Sequence, residues 1–155
     1  MKLNMGSGRS PLANGEWEDV DIRPEVKATI TADIRHVPRP DNSYDEILLQ
    51  SVLEHFGKRE YMEVLQEAYR LLNKSGKLVL SIPDLEAIAH KVILGGDIYS
   101  AVNFLFGEQN YEENYHKWAW TFSTIVSDLK KVGFVNIKRV KKILYHYELR
   151  LEATK

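Results

Sequence analysis

Cysteine is absent from the sequence, and its absence excludes disulfide bonds, thiolate chemistry and cysteine-ligated zinc sites. Long apolar runs are missing as well, because no stretch approaches the ~20 residues that a helix needs to cross a bilayer. The first residues, Met1-Lys2-Leu3-Asn4, do not have the pattern of a signal peptide. We therefore expect a cytoplasmic protein without a membrane span.

An excess of charge of one sign is also lacking. The chain has 21 basic and 22 acidic residues, which leave a formal net charge of −1. Without a broad positive field there is little to hold a polyphosphate backbone by counterion release, so nucleic acid is not expected as a partner. The nearest thing to a basic run, Lys138, Arg139, Lys141 and Lys142, alternates with apolar residues as a half-exposed strand does.

Glycine and proline are modest in number, with 9 and 5 residues, and the chain contains no internal repeat or low-complexity linker. Its 155 residues suit one domain over 1–155, with a single core. Strand-like and helix-like segments alternate along the chain, which predicts an α/β architecture. The strands are predicted at 2–5, 17–22, 29–34, 45–50, 77–82, 135–140 and 147–154.

The clearest helix is predicted over 60–72, where apolar residues follow one stripe, and Gly76 is expected to end it by taking a positive φ. A second helix is predicted over 123–132, with Ser123 as its N-cap and Gly133 just beyond its end. The segment 85–107 has helical periodicity that is interrupted by two glycines. It predicts either two helices, the second capped by Asp97, or one kinked helix.

No helix-length pattern joins the first three predicted strands. Residues 6–16 are rich in glycine, serine, proline and asparagine, and residues 23–28 contain Pro24. Neighbouring parallel strands need a connection of about a dozen residues, which is usually a helix. One face of the sheet is therefore expected to be open, and an open apolar face would favour a homodimer.

The first motif that could bind a ligand is Gly6-Ser7-Gly8, directly after the first strand. Glycines allow the backbone to approach a ligand and to present N–H groups to a carboxylate or phosphate, although a plain turn is the alternative. The segment departs from the dinucleotide fingerprint, because Arg9-Ser10-Pro11 follows and no helix begins there. This departure counts against a nicotinamide-binding oxidoreductase, which stays as one hypothesis.

Two acids stand at the carboxyl ends of strands, Asp21 in the second predicted strand and Asp33 in the third. In open α/β sheets ligands bind at the carboxyl ends of the strands, and an acid at the second strand's tip can accept both hydroxyls of a ribose. For Asp21 the alternative is a turn-forming role ahead of Pro24.

The residues that follow extend these motifs into an ordered series. It consists of Asp33, Pro40-Asp41-Asn42-Ser43-Tyr44-Asp45, Leu53-Glu54-His55, the helix up to Leu72, Asn73-Lys74-Ser75-Gly76, Pro83, His116-Lys117-Trp118 and the helix that ends at Gly133. The series resembles class I S-adenosylmethionine-dependent methyltransferases, most closely the small bacterial ones with a Leu-Glu-His motif. The resemblance covers nearly the whole chain, but the helix that family members carry after the glycine loop is missing.

The resemblance implies a Rossmann-like three-layer sandwich with a seven-strand, mostly parallel sheet in the order 3-2-1-4-5-7-6, here in a minimal version that lacks the N-terminal helices. It implies S-adenosylmethionine as cofactor. It also implies that Asp45 is structural and that Glu67 and Arg70 brace the fold. The cofactor residues it implies are Met5, Gly6, Ser7 and Gly8 at the methionine moiety, Asp21 and Ile22 at the ribose, Asp33 and Ile34 at the adenine, and Gln50 and Ser51 near the sulfonium.

The resemblance also implies methyl transfer to a small-molecule or saccharide acceptor, for which we expect O-methylation. A hydroxyl acceptor benefits from a base, and His55 and His116 are the candidates, with a packing role as the alternative for each. Five scattered histidines without a close-spaced carboxylate partner predict no metal site. A non-catalytic binding or assembly module that kept the fold is the competing hypothesis.

Aromatic residues between Tyr111 and Phe122 provide either a wall for the acceptor or cover for a sheet edge or a dimer interface.

Overall fold

The computed structural model describes residues 1–111, 113–140 and 147–155. The strands are β1 (Lys2–Met5), β2 (Trp17–Asp21), β3 (Ile30–Thr31), β4 (Tyr44–Gln50), β5 (Leu72–Pro83), β6 (Val135–Arg139) and β7 (Glu148–Thr154). The helices are α1 (Tyr61–Leu71), α2 (Leu85–Ile93), α3 (Ile98–Phe106) and α4 (Phe122–Val132), with short 3₁₀ turns at Pro24–Val26 and Leu53–His55. None of the described helices is both long and apolar enough to cross a membrane.

All seven strands form one sheet in the order β3-β2-β1-β4-β5-β7-β6. Neighbouring strands from β3 to β5 pair in parallel, whereas β7 pairs antiparallel with both β5 and β6. Six strands thus run one way and β7 runs the other. The predicted fold class and strand order are confirmed.

One face of the sheet carries the core. Because side chains alternate along a strand, every second residue points to this face, and helices α1 and α4 contribute to the same apolar cluster. Strand residues with no more than 1% exposure on this face include Leu3, Met5, Ile47, Leu49, Leu78, Leu80, Leu149 and Leu151. Each buried aliphatic side chain contributes about 1.5–3 kcal/mol of transfer free energy.

The opposite face is polar at the amino-terminal ends of the central parallel strands. Lys2, Glu46, Lys77, Glu152 and Lys138 occupy neighbouring strands with alternating charge, as the register of the strands shows. Lys77 Nζ lies 3.2 Å from a Glu46 oxygen and 3.8 Å from a Glu152 oxygen, and Lys138 Nζ lies 3.2 Å from Glu152. Charged side chains therefore cover this part of the open face, and the homodimer stays a prediction.

Residues 6–16 form the connection between β1 and β2, which we call the tied loop. The described residues 6–16 form no helix, as predicted, and their backbone is held by the buried carboxylate of Asp19. That carboxylate accepts hydrogen bonds from Leu12 N, from Ala13 N and from Asn4 Nδ2. Buried polar groups almost always have hydrogen-bond partners, and here the bonds to the Asp19 carboxylate hold the loop in place.

Two predicted helix ends were wrong in detail. Gly76 has no positive φ; Ser75 takes the left-handed conformation instead, with φ +64°, and residues 73–76 form an irregularity within β5. The N-cap of α4 is Thr121, which forms a reciprocal capping box with Thr124, so the helix begins one residue before Ser123. Gly133 does end α4 in the left-handed region.

The remaining elements agree with the pattern within a few residues. The segment 85–107 contains two helices, and Asp97 caps the second. Strand β3 is much shorter than the predicted 29–34, with two residues. Lys138 and Arg139 lie in β6, whereas Lys141 and Lys142 lie outside the described residues.

Glu67 and Arg70 hold the connection between β3 and β4 onto α1. The Glu67 carboxylate accepts from Val37 N at 2.7 Å and from Arg70, whose guanidinium also donates to the carbonyls of Val37 and Arg39. Asp45, an exposed residue at the start of β4, accepts from the Asn73 amide. These contacts are structural, as the sequence predicts.

Candidate functional site

A cavity of about 680 Å³ lies at the carboxyl ends of β1, β2, β3 and β4. Its volume falls in the range of ordinary small-molecule sites. Nine of the ten predicted cofactor residues line it, namely Gly6, Ser7, Gly8, Asp21, Ile22, Asp33, Ile34, Gln50 and Ser51. Met5 is not among the lining residues, because its side chain is fully buried in the core.

The glycine turn at the end of β1 packs closely against Val52, which follows the end of β4. Gly6 has φ +74°, and a Cβ there would lie 2.8 Å from both methyl carbons of Val52, so only glycine is accommodated without movement. The amides of Gly6 and Ser7 donate to the carbonyl of Val20 at the end of β2. The Gly8 amide donates to Asp21 Oδ2 at 2.8 Å. The turn is thus fixed to the tip of β2 on two sides.

Asp21 is buried and already engaged by its neighbours. Its Oδ1 accepts from the amide of Arg23 at 3.0 Å and from the Arg23 Nε at 3.1 Å. Burial alone would raise the pKa of Asp21, but the bonds from Arg23 and Gly8 outweigh this effect and hold the pKa below its usual value. Arg23 in turn lies over the ring of Tyr111, 5.6 Å from its centroid.

Asp33 repeats the same arrangement one strand further along. Its carboxylate binds the Arg35 guanidinium through both oxygens, with Nη2 to Oδ2 at 2.6 Å, and this pairing lowers the pKa of Asp33. Arg35 also pairs with Glu60 at 3.1 Å. The sequence analysis missed both arginines, although the repeated tripeptide Asp-Ile-Arg at 21–23 and 33–35 is the signal that could have revealed them.

The two histidines proposed as bases lie side by side. His55 lines the cavity, and His116 lies behind it with the ring centroids 4.9 Å apart in an edge-to-face arrangement. Burial and the neighbouring His116 lower the pKa of His55 to about 4, against the carbonyls of Tyr115 and Ser51, which favour its charged form. Burial also lowers the pKa of His116. Both rings are therefore neutral at pH 7.

Glu54 completes this cluster and was not predicted as a site residue. Its side chain is 1% exposed, and its Oε2 has no hydrogen-bond partner in the described structure. Burial raises the pKa of Glu54 to about 8, with a further contribution from Glu148. One ligand atom each of Glu54, His55 and His116 lies within 4.8 Å of the others. The adjacent Glu54-His55 pair was the sequence signal.

The aromatic stretch divides between two roles. Tyr111 lines the cavity, together with Glu113 and Lys117. Trp120 is buried in the core, where it packs edge-to-face on Tyr61 with centroids 4.9 Å apart. Among the described aromatic residues of this stretch, Tyr111 lines the cavity and Trp120 belongs to the core.

The family model for a methyltransferase domain matches residues 12–80, which include both Asp-Ile-Arg segments and the turn at 53–55. Two uncharacterised proteins of Methanocaldococcus jannaschii are similar in sequence. One is 34% identical over 64 residues, which cover 41% of this chain and 27% of that protein; the other is 25% identical over 153 residues, which cover 92% and 67%. The chain thus spans about a quarter of the first relative's length.

Two solved structures show the same fold. A SAM-dependent methyltransferase from Archaeoglobus fulgidus superposes with a TM-score of 0.68 and 16% identity, covering 99% of this chain and 85% of that one. The 1,6-didemethyltoxoflavin-N1-methyltransferase of Burkholderia thailandensis, with bound 1,6-didemethyltoxoflavin and S-adenosylhomocysteine, superposes with a TM-score of 0.66 and 15% identity, covering 99% and 70%.

Proposed function

We propose that the chain is a class I S-adenosylmethionine-dependent methyltransferase, which its match to the methyltransferase-domain model and its fold support. In this proposal it transfers the methyl group of S-adenosylmethionine to an oxygen of a small-molecule or saccharide acceptor. The observation that carries this proposal is the cavity at the strand ends, because nine of the ten predicted cofactor residues line it. The cofactor itself follows from the family.

The proposed cofactor orientation follows the order of the strands. The glycine turn after β1 lies at the methionine moiety, the tip of β2 at the ribose, and the tip of β3 at the adenine. Gln50 and Ser51, at the end of β4, then lie near the sulfonium. The exposed side chain of Ile22 and the buried Ile34 support this orientation, because they border the cavity with apolar surface that suits a flat base.

The acceptor is proposed to enter beside His55, Tyr111 and Lys117, which line the part of the cavity formed after β4 and α3. In the reaction the acceptor oxygen forms a bond to the methyl carbon while the carbon–sulfur bond breaks and its electron pair stays on sulfur. The hydroxyl proton leaves to His55, whose neutral ring can accept it. Alignment of the two reactants supplies most of the acceleration, since effective molarities are worth roughly 7–11 kcal/mol.

A second candidate function is supported by the ion pair at Asp21. With Arg23 and Gly8 already bonded to its carboxylate, fewer lone pairs remain for ribose hydroxyls. A non-catalytic module that kept the fold would carry such an occupied acid. The two candidates differ in what Arg23 does when the cofactor is offered.

Isothermal titration with S-adenosylmethionine and with S-adenosylhomocysteine tests both candidates. We expect saturable binding with one site per chain and a dissociation constant in the micromolar range. The variant Arg23→Ala frees Asp21 and serves as a matched comparison. If neither the natural chain nor Arg23→Ala binds either compound, the proposed methyl transfer is wrong; binding only by Arg23→Ala would favour the non-catalytic module.

A further inference from the structure

Glu54, His55 and His116 come together because the backbone joins their two segments. The amide of Lys117 donates to the carbonyl of Glu54 at 2.7 Å, and the amide of His116 donates to the carbonyl of Phe106 at 3.0 Å. The segment after α3 is thereby fastened across the turn at 53–55. This fastening brings the Glu54 carboxyl and the His116 imidazole next to His55, which lines the cavity.

Both imidazoles are oriented in the manner of metal ligands. His116 Nδ1 lies 2.8 Å from the carbonyl oxygen of Phe104, and His55 Nδ1 lies 3.2 Å from that of Tyr115. A carbonyl oxygen only accepts, so each Nδ1 carries the proton and each Nε2 keeps its lone pair. Histidines that bind metals almost always donate their other ring nitrogen to a carbonyl or carboxylate in this way.

Glu54 supplies an acidic oxygen that the described protein leaves unmatched. A side chain with 1% exposure and an unpartnered Oε2 is uncommon, because buried charges are usually paired or bound to a metal. Because burial raises the pKa of Glu54 to about 8, this carboxyl is mostly protonated at pH 7. A cation held by the two neutral imidazoles beside it would take the place of that proton.

We propose that Glu54, His55 and His116 bind one divalent transition-metal ion at the inner edge of the cavity. Two imidazoles and one carboxylate are the donor set of zinc hydrolytic sites and of ferrous sites with open positions. Bonds of ~2.0–2.2 Å would bring the ligand atoms to about 3–3.5 Å from one another. From a spread of up to 4.8 Å this requires only side-chain adjustments.

The ion's role in the reaction rests on the proposed function, whereas its binding does not. Because His55 lines the cavity, open positions on the ion would face the acceptor side, where an oxygen of the acceptor can bind. An oxygen bound to such an ion loses its proton at a much lower pH. With the ion bound, His55 is a ligand and no longer the base proposed above. The proton of the bound acceptor oxygen then leaves to solvent.

Metal binding is measured on the full chain after dialysis against a chelator. Titration with ZnCl₂ is expected to give one site with a dissociation constant below about 10 μM, and CoCl₂ is expected to produce visible absorption bands of histidine-bound cobalt. The variants Glu54→Gln and His116→Ala should weaken zinc binding at least tenfold. His90→Ala removes an exposed histidine of α2 and is the matched control, which should bind as the natural chain does.

Retained ellipticity and thermal unfolding show whether Glu54→Gln and His116→Ala fold. If one of them does not, the cobalt spectrum of the other decides. Absence of zinc binding, binding that His90→Ala abolishes, or binding that neither cluster variant weakens would each refute the site. Titration with S-adenosylmethionine is separate: if it fails while zinc still binds at the cluster, the methyl transfer is wrong and the metal site stands.

Discussion

At the scale of single residues, the cavity at the strand ends contains two acids. Each of them binds the arginine that stands two positions later in the sequence. Asp21 and Asp33 are ionised and fixed in orientation before any ligand arrives, because Arg23 and Arg35 bind them. Preorganised acceptors cost less to order on binding. If Asp21 binds the ribose as proposed, the ribose hydroxyls must share its carboxylate with Arg23 or displace Arg23.

Asp21→Ala should weaken S-adenosylmethionine binding by at least about 100-fold, since each hydrogen bond to a charged group contributes about 1.5–3 kcal/mol. Calorimetric titration measures this loss. The control is Glu16→Ala, which changes an exposed acid next to the other end of the same strand. An unchanged dissociation constant in Asp21→Ala would remove this residue from the ribose site.

Glu18 makes a second prediction at this scale. It accepts from Arg39 and from the buried Tyr44 hydroxyl, and the bond from Arg39 holds the pKa of Glu18 below its usual value. A lowered pKa means that this stabilisation is fully present above about pH 4.5 and is lost as the pH falls through the folded-state value.

Glu18→Gln should therefore cost about 1 kcal/mol at pH 7, allowing for the partial exposure of the pair. The difference from the natural chain should shrink between pH 5 and pH 3, where the natural chain loses the charge of Glu18. Urea unfolding at several pH values measures it, with Glu16→Gln as the exposed control. If the difference in unfolding free energy stayed constant across this pH range, the charge of Glu18 would not be what stabilises the fold.

At the scale of elements, the start of α4 gives a direct comparison of two neighbouring residues. The Thr121 hydroxyl oxygen accepts a hydrogen bond from the Thr124 amide, and the Thr124 hydroxyl oxygen accepts one from the Thr121 amide. Ser123, by contrast, lies inside the helix. Thr121→Ala should destabilise the fold by about 1 kcal/mol, and Ser123→Ala by less than about 0.5 kcal/mol. Urea unfolding at pH 7 measures both; equal losses would contradict the assigned cap.

The comparison also shows what the sequence could predict at this scale. The helices could be predicted from apolar periodicity, which local residues determine, whereas the strand order was implied by the resemblance to the methyltransferases. The cap at Thr121 was missed because serine and threonine occur at 121, 123 and 124, and all three suit an N-cap. The conformation of Ser75 was missed because glycine is the usual residue at positive φ, while Gly76 is needed instead for close approach to Asn73, whose carbonyl a Cβ would meet at 2.8 Å.

The functional site divides in the same way. The glycine turn and the strand-end acids could be located because each follows a strand in sequence. The cluster of Glu54 and His116 could not, because it brings together residues 62 positions apart through backbone bonds of a segment without periodicity. The polarity of the open face depends on strand register, which alternation within a single strand does not fix.

At the scale of the whole molecule, helices α1 and α4 pack on one face, while β2 and β3 are connected by a 3₁₀ turn and by no α-helix. In hydrogen exchange of the ligand-free protein, the amides of β2 and β3 should therefore exchange faster than those of β5 and β7. Saturating S-adenosylmethionine should slow them, and should not do so in Asp21→Ala. Equal rates in all four strands would contradict this expectation.

The order of the tied loop between β1 and β2 is coupled to ligand binding. A ligand that binds the ordered form stabilises it by about 2.7 kcal/mol at a concentration of 100 times its dissociation constant. Local order in the helix-free half and ligand affinity are thus one linked equilibrium. Asp19 anchors the loop but is not among the residues that line the cavity. Its substitution would therefore lower the affinity for the ligand by making the ordered form of the loop less stable, without removing a contact to the ligand.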